Sequence, residues 1–236
     1  MTALHLASAM GNKGIAAALL EKGANPNCTE EARATPLHFL CGVGATGDLE
    51  IAKALLDKGA NVNAQDKNGQ TPVLVAASNG RLELVHLLLD RQGDPNLANA
   101  MGGTPLMAAV RLEHADVVAA LLARGAKVNE VDKQQSNALH FAAEVGNRPI
   151  TELLIANGAD VLQKSEEGGT PFQRAAFKEH EELAKYLQDL EKAAGGTGAE
   201  APATPEKPAQ APGAPKGQKG QKGQGKKKQP PQDPPK

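Results

Sequence analysis

One six-residue pattern recurs six times along the chain, and each copy begins with threonine or asparagine. Successive copies start 33, 36, 33, 33 and 33 residues apart, so the interval is nearly constant. The copies are Thr2–Ala7, Thr35–Leu40, Thr71–Ala76, Thr104–Ala109, Asn137–Ala142 and Thr170–Ala175. Self-similarity at such a period is typical of architectures in which one short structural unit stacks against copies of itself.

The copy that begins at Thr71 shows what each unit can form. The Thr71 hydroxyl can accept an N–H of the first helical turn, and Pro72 fits the first helical position, where its missing N–H is no loss. Gly80 predicts the end of this helix, and the apolar residues within 82–89 predict a second helix that ends at Gly93. Because helices this short are not stable alone, the units must bury shared faces, which predicts an all-α solenoid.

A second pattern, Leu-Leu followed after two or three intervening residues by Gly-Ala, keeps the same phase at residues 19–25, 55–61, 121–127 and 153–160. Together with the Thr-Pro-Leu-His opening, this sequence resembles the ankyrin repeat. The resemblance covers residues 1 to about 192 as six repeats, near 1–34, 35–70, 71–103, 104–136, 137–169 and 170–192. It implies helix–turn–helix units joined by hairpin loops, with a concave surface that binds other proteins.

Several repeats depart from the common pattern. Repeat two carries three extra residues within 42–46, which lengthen the turn between its helices, and Glu113 stands where repeat four should have a turn glycine. In repeat five Pro149 opens the second helix. The second helix of repeat six is polar, as expected of a terminal cap with one face in water.

The first repeat begins at Thr2 without a capping unit before it. We therefore expect an uncovered side on four leucines, Leu4, Leu6, Leu19 and Leu20. Three explanations stay open: the sequence is a fragment of a larger ankyrin-containing receptor, channel or kinase, the first repeat is frayed, or a partner covers it.

Residues 193–236 differ in composition from the rest of the chain. They contain nine Pro and eight Gly but no Val, Ile, Leu, Met, Phe, Tyr or Trp, which predicts a disordered tail. The tail has a net charge of +5, against −6 for the remainder. Its prolines between 202 and 215 fit the P-x-x-P pattern of an SH3-type ligand. Its lysines between 216 and 228 could contact an acidic protein, RNA or an anionic membrane, act in nuclear import, or only keep the tail soluble.

The resemblance places a candidate binding surface on the loop tips and on the exposed end of each first helix. The candidate protein-binding residues are Lys67, Asn68, Gln70, Ser78 and Asn79 in repeat three, Met101, Arg111 and Leu112 in repeat four, Lys133, Gln134, Ser136, Glu144 and Val145 in repeat five, and Phe177 and Lys178 in repeat six. The same rule also selects Glu31, Arg33, Glu166 and Glu167. Solvated positions have no need of apolar side chains, so the expected anchors are Met101, Leu112, Val145 and Phe177.

One motif resembles the nucleotide-binding motif of enzymes. Residues 42–47 read Gly-Val-Gly-Ala-Thr-Gly, the G-x-G-x-x-G of dinucleotide-binding sites, and Asp66 lies 19 residues beyond Gly47. However, the apolar run before the motif begins at Thr35, in phase with the other helix openings, whereas the nucleotide motif follows a strand. A nucleotide-binding enzyme that uses residues 42–47 is therefore kept as the alternative to a protein-binding module.

Histidine occupies the same position in three repeats, as His5, His38 and His140. Stacking separates repeats two and five too far for one metal ion, and the resemblance implies that each imidazole ties neighbouring loops by hydrogen bonds. Cys28 and Cys41 cannot form a disulfide framework and match no Cys-x-x-Cys site. We expect no catalytic residue, cofactor, metal ion or small-molecule substrate.

The sequence thus predicts a monomeric, non-enzymatic adaptor that binds a partner protein on its concave surface. Two cysteines fit a reducing compartment, and no apolar run approaches the ~18 residues of a membrane helix. The N-terminus lacks the pattern of a signal peptide. We expect a cytoplasmic protein, with the nucleus as a second location if the basic strip acts in import.

Overall fold

The computed structural model describes residues 1–42 and 48–195, and these residues form twelve helices. The helices are α1 (Ala3–Ala9), α2 (Lys13–Glu21), α3 (Pro36–Gly42), α4 (Asp48–Asp57), α5 (Pro72–Ser78), α6 (Leu82–Asp90), α7 (Pro105–Arg111), α8 (Ala115–Ala123), α9 (Ala138–Val145), α10 (Arg148–Ala156), α11 (Pro171–Phe177) and α12 (Glu181–Ala193). They follow one another as six helical pairs, which confirms the predicted all-α fold. The chain divides after Pro202 into two units. The second unit, most of the predicted tail and the inserted turn at 43–47 lie outside the described residues.

The helices stack in two layers. Each odd-numbered helix contacts the next odd-numbered one, and α2, α4, α6, α8 and α10 follow each other in a second layer. The apolar faces between the layers form one continuous core that runs from Leu4 in the first pair to Leu187 in the last. Because each helical pair makes its main contacts with the neighbouring pairs, the described repeats form the expected solenoid. None of the described helices is both long and apolar enough to cross a membrane.

The first helices begin as the sequence predicts. The Thr71 hydroxyl accepts the N–H of Leu74 at 3.2 Å, and the Thr104 hydroxyl accepts the N–H of Met107 at 3.3 Å. A proline follows each of these threonines in the first turn. These threonine caps fix where α5 and α7 start, and thereby set which side chains of those helices face the core.

The end of α6 corrects the prediction for Gly93. Gln92, one residue earlier, adopts the left-handed conformation with a φ of 67°. Gly93 is needed for a different reason: a Cβ atom there would lie 2.7 Å from Val73 Cγ2 and 2.8 Å from the Leu88 carbonyl oxygen. The apolar pattern also predicts Leu87 as a core residue, but Leu87 is only partly buried and Leu88 is fully buried.

The loops between repeats are short hairpin-like turns. The Asp66 N–H donates to the Gln70 carbonyl within one loop, and the neighbouring Lys67 N–H donates to the Ala32 carbonyl of the preceding loop. The same cross-loop bond recurs from Ala100 to Asn68. No strand forms in the described residues, but these bonds place the loop tips side by side along one edge of the stack.

The first pair only partly fits the expectation of an uncovered end. Leu4 and Leu20 are buried in the core, and Leu19 packs partly against it. Leu6 remains half exposed, as expected. More of the leucine side chains of the first repeat are therefore buried than the sequence predicts.

Candidate functional site

The candidate site is the surface between the loop tips and the first helices of repeats four to six. At its centre the guanidinium carbon of Arg111 lies 5.3 Å from the ring centroid of Phe141. Arg111 is the last residue of α7 and is exposed, whereas Phe141 in α9 is 9% exposed. This is cation–π geometry, which holds the charged group over the face of the ring.

Two clefts meet at Arg111 and Phe141. The larger has a volume of about 490 Å³ and extends toward repeat six; its lining includes Gln134, Ser136, Glu166, Glu167 and Arg174. The smaller has a volume of about 270 Å³ and extends toward repeat three; its lining includes Leu74, Met101, Met107, Ala108 and Gln134. The two clefts therefore form one groove that lies mainly over repeats four to six and reaches Leu74 in repeat three, with an arginine and an aromatic ring at its midpoint.

A third cleft of about 300 Å³ lies beside the larger one, with which it shares Ser165, Glu167 and Arg174. Glu144 in this cleft accepts a hydrogen bond from Arg174 at 3.1 Å and contacts the Lys178 ammonium at 3.1 Å. Burial raises the pKa of Glu144, but the hydrogen bonds and positive charges of Lys178 and Arg174 outweigh this effect, so that the pKa lies below its ordinary value. The carboxylate is thus already neutralised by two cations of this surface.

Asp132 shapes the loop that borders the groove. Its Oδ1 accepts the backbone N–H groups of Gln134 and Ser136, both at 2.9 Å, which closes a tight turn. The Ser136 side chain is buried, and its Oγ accepts a hydrogen bond from Arg174 Nη2 at 3.4 Å. Asp132 and Ser136 therefore position the loop and the Arg174 side chain.

The structure brings together only some of the predicted binding residues. Those that line the three clefts are Met101, Arg111, Gln134, Ser136, Glu144, Phe177 and Lys178. Those that line none of these clefts are Lys67, Asn68, Gln70, Ser78, Asn79, Leu112, Lys133 and Val145. Ser78 and Asn79 instead bond within their own helix turn, to the carbonyls of Leu74 and Val75.

Three of the four expected anchors are exposed apolar side chains. Met101 is 55% exposed, Leu112 54% and Phe177 46%. Val145, in contrast, is partly buried at the end of α9. Met101 lines the smaller cleft and Phe177 the third cleft, and their role as anchors remains a prediction.

Sequence reasoning missed Phe141 and Arg174. Phe141 lies three residues before the predicted site residue Glu144 in α9, and Arg174 lies three residues before the predicted site residue Phe177 in α11. Residues three apart share a helix face, so the predicted positions already pointed to them. Apolar Phe141 is naturally assigned to the core from sequence, because the pattern does not show that its ring borders a groove.

The recurring histidines tie each repeat to the next loop. The Nε2 atoms of His5, His38 and His140 lie 3.0, 2.9 and 3.1 Å from the carbonyl oxygens of Ala34, Gln70 and Gly169. This confirms the role that the family resemblance implied. No cluster of His, Cys, Asp and Glu in the described parts of the chain is arranged to hold a metal ion.

The alternative nucleotide site receives no structural support where it can be checked. The apolar run before residues 42–47 is the helix α3, whereas a dinucleotide fingerprint needs a strand there. Residues 43–47 themselves lie outside the described residues. Burial raises the pKa of the nearby Cys41 thiol to about 12, so that this sulfur stays protonated and unreactive.

Comparison with known families agrees with the repeat architecture. The family model for ankyrin repeats matches the chain in three copies, at residues 1–66, 37–132 and 125–195. These copies together cover the twelve helices. A search of curated proteins finds no similar sequence.

Proposed function

Because the chain belongs to the ankyrin repeat family, we propose that it is an adaptor whose groove over repeats four to six binds a segment of a partner protein. Ankyrin repeats are generally protein–protein interaction modules without catalytic activity. The observation that carries the proposal is the groove itself, which has Arg111 and Phe141 at its midpoint and exposed Met101 in its smaller cleft, with exposed Phe177 in the third cleft next to the larger one.

The physical basis of binding is a surface formed before the partner arrives. The loop at Asp132 and the caps of the first helices fix the groove, so little ordering entropy opposes association. Exposed Met101 and Phe177 supply apolar area that a partner can bury. We propose that the protein acts as a monomer in the cytoplasm or nucleus, which sedimentation analysis and localisation of the tagged chain test.

The test uses the full chain and a peptide ligand selected from a random library displayed on phage. Met101→Gln and Phe177→Gln are each expected to weaken peptide binding by about tenfold, because each removes a buried apolar contact. Ile15→Gln is the matched control, since Ile15 is also exposed (51%) but lies in α2, on the first repeat. Isothermal titration calorimetry measures the affinities. Equal affinities in all three variants, or no selected peptide, would contradict the proposal.

The predicted tail offers a second contact. Its net charge of +5 and its P-x-x-P prolines support binding to an acidic partner surface or to an SH3-type domain. We expect removal of residues 196–236 to leave the midpoint of thermal unfolding unchanged, because that segment has no large apolar side chain to bury. A large fall in the midpoint would show that the tail packs on the repeats.

A further inference from the structure

Arg111 is a positive charge without a carboxylate partner. Within the described residues its guanidinium forms no ion pair and no hydrogen bond, and its contact is the face of Phe141. The neighbouring cations differ, because Arg174 and Lys178 share the carboxylate of Glu144. The aromatic face holds the guanidinium but leaves its five N–H donors available.

The acidic residues around the groove do not neutralise Arg111. Asp132 uses Oδ1 to hold its own turn, and Glu144 is paired with two cations. Glu166 and Glu167 line the larger cleft and are exposed. Arg111 and Asp132 therefore both line the midpoint of the groove without forming an ion pair with each other, and the larger cleft adds acidic Glu166 and Glu167 and basic Arg174.

The smaller cleft beside Arg111 has a mixed lining, in which polar Asn99, Thr104, Asp132 and Gln134 accompany the apolar side chains. The smaller cleft adds the thioethers of Met101 and Met107 and the methyl group of Ala108. Flexible Met side chains adapt to different apolar partners. A ligand that reaches Arg111 along this cleft would bury an apolar side chain beside its charged group.

We propose that Arg111 binds an aspartate or glutamate side chain of the partner segment, and that the cleft beside Met101 takes an apolar side chain next to that acid. This inference rests on the proposed function and names the chemistry of its partner. A guanidinium and a carboxylate can form two parallel hydrogen bonds, which are strong and directional. Stacking on Phe141 restricts the guanidinium before binding, so that less side-chain entropy is lost when the carboxylate arrives.

The experiment is a parallel selection from one random peptide library against the full chain and against its Arg111→Glu variant. The wild-type protein should enrich peptides that carry an acid beside an apolar residue. The Arg111→Glu protein should enrich lysine or arginine at the same place, because the charge it presents is reversed. Circular dichroism confirms that the variant is folded, which is expected because Arg111 is exposed.

Affinities of one wild-type-selected peptide provide the quantitative test. Arg111→Gln should weaken its binding by about tenfold or more, and the loss should shrink at high salt. The charge-reversal control is Lys185→Glu, an exposed substitution in α12, which should change the affinity by less than about twofold. A peptide in which the acid is changed to lysine should bind the Arg111→Glu protein more tightly than the wild type.

The possible failures are distinguishable. Selected peptides rich in lysine and arginine, with affinity unchanged in Arg111→Gln, would overturn the inference in favour of a basic segment at Glu166 and Glu167. Peptides that lose affinity in Met101→Gln and Phe177→Gln but not in Arg111→Gln would overturn the role of Arg111 and leave the proposed function intact. No enriched peptide, or binding that none of these variants weakens, would overturn both.

Discussion

The side chain of Asn96 crosses to the next repeat, where its Oδ1 accepts the backbone N–H of Lys127 at 2.8 Å. Its Nδ2 donates to the carbonyl oxygen of Gly125 at 3.2 Å, so that one carboxamide satisfies a donor and an acceptor of the neighbouring loop. Asn27, Asn63 and Asn129 make the same pair of hydrogen bonds to the next repeat, so that one asparagine joins the two repeats at each boundary from repeat one to repeat five. These bonds align the repeats and thus set the positions of the groove's walls.

Asn96→Ala should lower the free energy of unfolding by about 0.5–1.5 kcal/mol, because it removes two hydrogen bonds to backbone groups at Lys127 and Gly125 that are exposed and can bind water instead. Urea denaturation followed by circular dichroism measures the change. Asn68→Ala is the matched control, since Asn68 is exposed at a loop tip, and it should cost less than about 0.5 kcal/mol. Similar losses of stability in both variants would show that the two hydrogen bonds of Asn96 do not stabilise the fold.

Acidification should destabilise the stack through His38 and His140. Burial lowers the pKa of both imidazoles, and the hydrogen bonds to the carbonyls of Gln70 and Gly169 only partly oppose this. The neutral form is therefore favoured in the folded state, and the unfolded chain binds more protons as the pH falls below about 6.5. Stability is complete above that pH and declines as the pH falls toward the lower pKa of the folded state.

The measurement is the free energy of unfolding in urea at pH 7.5 and at pH 5.0. Each histidine can contribute a slope of at most about 1.4 kcal/mol per pH unit. The His38→Gln/His140→Gln double variant should lose less stability between the two pH values than the wild type. His86→Gln, at an exposed position of α6, should leave the pH dependence unchanged. An identical dependence in wild type and double variant would contradict the assignment.

Asn137 is a poor substitute for the threonine of other repeats. In repeat two, the Thr35 hydroxyl lies 2.9 Å from His38 Nδ1 and can donate its proton to that nitrogen. In repeat five, Asn137 Oδ1 lies 2.8 Å from His140 Nδ1, and Asn137 Nδ2 is buried without a partner. Because His140 Nε2 faces the Gly169 carbonyl and needs the ring proton, Nδ1 has none left to donate to the Asn137 oxygen.

Asn137→Thr should therefore raise the free energy of unfolding by about 1–2 kcal/mol, since a hydroxyl both accepts from the helix and donates to His140. The reciprocal change, Thr35→Asn, should lower it by a similar amount in repeat two. Urea denaturation at pH 7.5 measures both. A loss of stability in Asn137→Thr would mean that the Asn137 amide makes a contact that the threonine cannot replace.

The two leucines Leu87 and Leu88 should respond differently to truncation. Leu88 is fully buried, and Leu88→Ala should cost about 3–5 kcal/mol through lost contacts and the cavity left behind. Leu87 is only partly buried, so Leu87→Ala should cost clearly less. Chemical denaturation compares the two variants. A larger loss for Leu87→Ala would show that α6 is rotated relative to the structure.

Much of this fold is predictable because each local preference agrees with the repeat. Thr71, Pro72 and Gly80 predict where α5 starts and stops, and the period of the pattern predicts that the pairs stack. The run of three leucines at 87–89 shows where prediction of the core from sequence fails. Adjacent apolar residues do not reveal which of them faces the core. The end of α6 is predicted wrongly for a related reason. The steric contact between Gly93 and Val73 is not visible in the sequence.

The candidate binding surface is predictable only in part. The repeat phase identifies Met101, Arg111 and Phe177 as outward-facing positions, and the structure places all three on the clefts. The stacking of Arg111 on Phe141 depends on the distance between two repeats, which no local pattern encodes. The pairing of Glu144 with Arg174 likewise joins residues 30 positions apart. Contacts of this kind decide which charges remain available to a partner.

The most direct test of the central claim is a map of where a selected acidic peptide binds. Two-dimensional NMR spectra of the isotopically labelled full chain, recorded with and without the peptide, report the backbone groups that change environment. We expect the shifted residues to cluster around Arg111, Gln134 and Phe141, while the outer helices α8 and α10 stay unchanged. Shifts confined to α8 and α10, or to residues beyond 195, would contradict the assignment of the groove as the binding surface.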